Sequence, residues 1–113
     1  MCSQSILDII TSKVAQAARE SLGDKLDKVI LYGSYARGDH DDESDIDIMV
    51  LADIPREDCW NERCKISKLT GWLDLEYDVF VSIHVTDCST FYKFVDVLPF
   101  YMNVNNEGVE LSA

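Results

Sequence analysis

Apolar residues near the start of the chain recur at intervals of three and four. Ile6, Ile9, Ile10, Val14, Ala17, Ala18 and Leu22 share one face, which predicts an amphipathic helix over residues 3–22. Ser3 or Ser5 is a suitable N-cap, and Gly23 stands where a stop is expected. The period then shortens to two. Residues 28–33, "KVILYG", form a short strand ending at glycine, and residues 45–51, "DIDIMVL", form a second. In that second strand Asp45, Asp47 and Met49 point one way, and Ile46, Ile48 and Val50 the other. Pro55 opens a second helix reaching about residue 73, since proline suits a first helical turn.

Residues 75–85, "LEYDVFVSIHV", alternate as a third strand. Val79, Val81, Ile83 and Val85 take one face, and Asp78, Phe80, Ser82 and His84 the other. A shorter helix is expected over 87–98, ended or kinked by Pro99. The remaining "YMNVNNEGVELSA" reads as polar and turn-prone, with a short edge strand at 109–111. Helix, strand, strand, helix, strand, helix predicts an α/β (α+β) fold, with helices packed on a sheet of three to four strands. A chain of 113 residues fits one domain spanning 1–113.

Composition alters this picture mainly through charge. With 10 Lys and Arg against 21 Asp and Glu, the net charge is −11, which argues against direct binding to nucleic acid or an anionic membrane. It suits recruitment of divalent cations, or a basic protein partner. No apolar run is long enough to cross a bilayer and the N-terminus lacks a signal-peptide pattern, so the expected compartment is the cytoplasm. The cysteines Cys2, Cys59, Cys64 and Cys88 form no C-x-x-C pair, and read as buried or helix-face thiols rather than zinc ligands.

Six of the carboxylates fall within nine residues, 39–47. Asp39, Asp41, Asp42 and Glu43 read as a solvated loop that could raise the local Mg²⁺ concentration, and His40 as part of the same loop. His84 reads as a strand residue facing a helix or water. Asp45 and Asp47 differ from the loop acids, because two residues apart on a strand their anions stand side by side. Such a pair repels unless it takes up a proton or a cation, and oxygen-only ligands favour Mg²⁺ or Mn²⁺. Upstream, Gly33-Ser34 follows a strand and would let backbone N–H groups and a hydroxyl approach an anion. The G-x-x-x-x-G-K-[ST] and G-x-G-x-x-G loops are absent, and an EF-hand counted from Asp39 fails at Ser44 and Val50.

The ordered run "GSYARGDHDDESDIDIMV" resembles the signature of the DNA polymerase β-like nucleotidyltransferase superfamily. The resemblance implies that fold with a small mixed sheet, Gly33 and Ser34 as the phosphate-binding turn, and Asp45 and Asp47 as catalytic metal ligands for two Mg²⁺ ions. It also implies a third carboxylate from the next strand. Asp78 is the choice there, as the opening of that strand, with Glu76 in reserve. Arg37 reads as a brace for the turn rather than a substrate contact.

The implied reaction is attack of a hydroxyl on the α-phosphate of a nucleotide, ATP by preference, with pyrophosphate leaving. The chain's length resembles the minimal nucleotidyltransferases, antitoxins paired with small helical HEPN toxins. For these the implied acceptor is a tyrosine of the HEPN partner. One alternative is an antitoxin acting by complex formation with a dispensable site. Transfer to a small molecule of the aminoglycoside type ranks last, because no second half is present to hold a sugar. Phe100 and Tyr101 read as core or interface aromatics, and an exposed Phe-Tyr patch would suit docking.

Overall fold

A computed structural model describes residues 3–41 and 44–111. The expected loop acids Asp42 and Glu43, and Cys2, lie outside the described residues. Helix α1 spans Gln4–Leu22, and its Ser3 N-cap side chain accepts from the Ile6 N–H at 3.2 Å. Gly23, at φ 56°, ends it. Strand β1 is Leu26–Tyr32, and a four-residue turn of helix, α2, covers Ser34–Arg37. Strand β2 is Ile46–Ala52. Helix α3, Cys59–Thr70, and α4, Trp72–Tyr77, come next; β3 is Val81–Asp87, α5 Cys88–Phe94, α6 Pro99–Glu107 and β4 Val109–Glu110.

The sheet runs β3-β2-β1-β4, with β2 antiparallel to β1 and parallel to β3. The parallel pair is reached through the α3–α4 crossover, as such pairs require. The period of two in "DIDIMVL" holds in space. Ile46, Ile48 and Val50 are fully buried with Val29, Leu31 and Ile83 against α1 and α3. Met49 and Leu51, with Ile30 and Tyr32, take the opposite face, covered lower down by Phe91 of α5 and Val104 of α6. Tyr101 is half-buried with its ring 5.4 Å from Phe91, whereas Phe100 is about half exposed and meets Tyr32 edge-on at 5.7 Å.

Three expectations need correction. The second helix does not run unbroken from Pro55; a 3₁₀ turn at Arg56–Asp58 precedes α3, and α4 begins after Gly71. The third strand starts at Val81 rather than residue 75. Leu75 to Tyr77 continue as helix, which Asp78 ends by taking a left-handed conformation at φ 52°. Pro99 opens a helix instead of closing one. With the proline in its first turn, α6 carries Tyr101 and Val104, three apart, toward the core. The short edge strand is present as β4, paired with Ile30 and Leu31. Cys59, Cys64 and Cys88 are unpaired, half-buried thiols. Among the described residues no helix is long and apolar enough to cross a membrane.

Candidate active site

The end of β1 and the start of β2 are adjacent because the strands are antiparallel, so "YGS" and "SDID" meet although a loop separates them. Tyr32 pairs with Asp47 in register. Gly33 follows at φ 78°, ψ −156°, a conformation essentially reserved for glycine. It leaves the backbone directly against the Asp47 carboxylate: a Cβ on Gly33 would sit 2.5 Å from Asp47 Oδ2. The Gly33 carbonyl then accepts from the Ala36 and Arg37 N–H groups, both at 3.1 Å, closing α2. Ser34 is the first residue of that turn and is partly accessible.

Asp45 is exposed and immediately precedes β2, while Asp47 is half-buried. Burial pushes the Asp47 carboxyl above its ordinary range and the Asp45 anion pushes it further; His84 and Arg37 oppose the shift. Beneath it, burial and then the Asp47 charge hold the Tyr32 phenol protonated. Arg37 forms ion pairs with Asp39 at 3.2 Å and with Glu107 of α6 at 3.4 Å, tying the turn to the C-terminal helix. A cavity of about 200 Å³ lies beside Gly33 under Phe100, Asn103 and Glu107.

On the other side of β2, Ser82 stands opposite Asp47 and His84 opposite Met49, with Ser82 Oγ 3.4 Å from His84 Nε2. Sequence reasoning left both out of the site. Their alternation with the buried Ile83 was the available signal. Asp78 does not open β3 as expected; it caps α4, two residues before Phe80, whose carbonyl accepts from Ile46 N–H. Glu76 lies within α4 and is exposed. Among the described residues no three His, Cys, Asp or Glu side chains gather in a metal-holding cluster. His40 also departs from the solvated-loop reading: it is half-buried and stacks on Tyr35 at 4.0 Å and 10°.

What the arrangement offers is a glycine turn set against the Asp47 carboxylate, with Asp45 two residues away on the same chain segment. Comparison with known proteins gives the family. A family model described as "Nucleotidyltransferase domain" matches residues 12–108. Two proteins of Methanocaldococcus jannaschii, each provisionally named a protein adenylyltransferase, are similar. One is 41% identical over 80% of this chain and 83% of its own length; the other is 36% identical over 74% and 76%. Among solved structures, a toxin–antitoxin crystal structure with AMP-PNP superposes with a TM-score of 0.55 at 22% identity, covering 91% of this chain and 73% of that one. A structure given provisionally as a minimal nucleotidyltransferase superposes at 0.54 and 19% identity, covering 93% and 92%. At these identities the structures speak to the fold alone.

Proposed function

The chain belongs to the nucleotidyltransferase domain family, and we propose that it transfers AMP from ATP to a hydroxyl of a protein partner. The observation that carries this reading is the closeness of Gly33 to the Asp47 carboxylate, which sets the backbone turn against one member of the Asp45–Asp47 pair. The names of the M. jannaschii relatives support a protein acceptor. The toxin–antitoxin neighbour supports a toxin as that acceptor; by resemblance it would be a tyrosine of a HEPN protein.

The donor set fits Mg²⁺, with Mn²⁺ as a substitute. Asp45 and Asp47 are hard oxygen donors, and the partly buried Asp47 already gains from a positive neighbour. One or two carboxylates completed by substrate phosphates are a usual protein complement for Mg²⁺. Bound there, the two ions of the family mechanism would neutralise charge on the triphosphate and on the departing pyrophosphate.

This chain's own residues would do the positioning. Gly33 and Ser34 would hold the phosphates, Tyr32 would back Asp47 as a neutral wall, and Arg37 would brace α2 against α6. The acceptor oxygen forms its bond to the α-phosphorus as the bond to the bridging oxygen breaks. Pyrophosphate leaves with that electron pair, and the hydroxyl proton passes to solvent or a nearby carboxylate. The test is Mg²⁺-dependent transfer of α-labelled AMP, lost by at least about 100-fold in Asp45→Asn/Asp47→Asn. Labelling unchanged in that variant would sink the reading.

A second reading is favoured by one observation: among the described residues no three acidic, His or Cys side chains gather at Asp45 and Asp47, where Ser82 stands opposite Asp47. The chain would then neutralise its partner by complex formation. Asp45→Asn/Asp47→Asn should neutralise fully in that case; loss of neutralisation with the complex intact would exclude it.

A further inference from the structure

In-line displacement places the attacking and leaving oxygens on opposite sides of the phosphorus. With a triphosphate held at the Gly33 turn at the end of β1, as proposed above, the acceptor would approach from the β3 side. A groove of about 490 Å³ lies there, running from His84 along the outer edge of β3 to α3, with Tyr101 of α6 at its wall. His84 faces the same side of the sheet as Asp47.

Along the α3 side the groove presents Arg56, Trp60 and Arg63. Arg63 Nε donates to the Ile83 carbonyl at 2.8 Å, which holds its guanidinium 5.1 Å from the Trp60 ring centre. The indole is nonetheless 65% exposed. In a chain with twice as many acids as bases, neither Arg56 nor Arg63 has a carboxylate partner among the described residues. Among the described residues the one acid lining the groove is Asp87, whose Oδ2 accepts from the Thr90 N–H at 2.9 Å and the Thr90 hydroxyl at 2.8 Å. Two guanidiniums without a carboxylate partner among the described residues, beside a largely exposed indole and a tyrosine, are complementary to an aromatic residue flanked by carboxylates.

We propose that this groove receives an acidic segment of the protein acceptor, with the acceptor tyrosine presented beside Trp60 and its flanking carboxylates on Arg56 and Arg63. The proposal rests on the AMP-transfer reading above for the direction of approach.

The test uses the full chain carrying Trp72→Phe, which leaves Trp60 as its sole tryptophan, and two synthetic peptides. One has a tyrosine flanked by glutamates, the other the same tyrosine flanked by lysines. Binding is read from Trp60 fluorescence without nucleotide, and transfer from labelled ATP with Mg²⁺ is read separately. The net charge of −11 favours the lysine peptide everywhere else on the surface, so a contrary preference isolates the groove. The glutamate peptide should bind more tightly, and Arg56→Glu should weaken it by at least about fivefold, the factor for ~1 kcal/mol. Arg56 is exposed and makes none of the fold's described side-chain bonds, so that variant keeps the test informative if Arg63→Ala fails to fold. Equal binding of the two peptides, tighter binding of the lysine peptide, or no binding of either overturns the groove assignment. Glutamate-peptide binding without AMP transfer would uphold the groove and count against the transfer reading. Transfer without a charge preference would do the reverse.

Discussion

Gly33→Ala is the substitution whose effect the structure dictates most closely, because two separate penalties meet at that position. The backbone at φ 78°, ψ −156° is a glycine region, and forcing a side chain into it costs about 1–3 kcal/mol. The new methyl would also lie 2.5 Å from Asp47 Oδ2, so the half-buried carboxylate must turn away. Gly38 supplies the control. It sits at φ 83°, ψ 10°, in the left-handed helical region, with nothing within 4 Å of a built Cβ. Gly38→Ala should therefore cost only the backbone term, about 1–2 kcal/mol. At roughly 4 °C per kcal/mol for a domain of this size, Gly38→Ala should lower Tm by about 4–8 °C. Gly33→Ala should lower it further, by at least about 8 °C. Thermal unfolding followed by circular dichroism measures both. Repeating the pair in an Asp47→Ala background removes the overlap and should shrink the gap between them. Equal losses in the two single variants, or a gap that Asp47→Ala leaves unchanged, would refute the claim that the turn rests on the carboxylate.

Asp47 yields a pH prediction of definite sign. Its folded-state pKa lies above the ordinary 3.8, so the folded chain binds the proton more readily than the unfolded one. The ionised carboxylate therefore destabilises the metal-free fold above its folded-state pKa, and that penalty is relieved as pH falls through this pKa toward 3.8. Asp47→Asn should raise Tm at neutral pH in chelator, with the gain disappearing in acid; no gain at neutral pH would contradict the assigned burial and repulsion. Asp87 caps α5 through the Thr90 N–H, so Asp87→Ala should cost about 1–2 kcal/mol in denaturant titration, and a loss below about 0.3 kcal/mol would refute the cap. Asp78→Asn should reduce AMP transfer at least about tenfold less than Asp45→Asn, a difference of ~1.4 kcal/mol in transition-state stabilisation. Equal losses would show that the turn after α4 brings Asp78 to the reacting groups.

The sequence was legible where local pattern and tertiary environment agree. "DIDIMVL" alternates because one face of β2 lies under α1 and α3 while the other carries the acids and then Met49 and Leu51, so period two alone assigned the faces. Ser3 and Gly23 bounded α1 because capping is a local interaction. The start of β3 was misread because "LEYDVFV" has strand composition. Its first three residues nevertheless continue α4, leaving Leu75 90% exposed, and the turn depends on Asp78 adopting a positive φ that no pattern announces. Helix α6 was hidden by the asparagines of "NVNN". It forms because Tyr101 and Val104 find Phe91 of α5 and Ile30 of the sheet, a tertiary contact without local expression. Gly33 and Asp47 were read within one signature run and lie side by side in space, whereas Ser82, His84 and the arginine groove required the parallel register of β2 and β3 to appear.

The central claim is that Asp45 and Asp47, seated against Gly33, act on a nucleotide. Its most direct test is equilibrium binding of ATP to the purified chain with and without Mg²⁺, followed by release of α-labelled AMP onto a protein acceptor. Mg²⁺-dependent binding and transfer, both lost in Asp45→Asn/Asp47→Asn although its Tm in chelator is not lowered, is the predicted result. ATP binding that ignores Mg²⁺ and survives the double substitution would contradict the account.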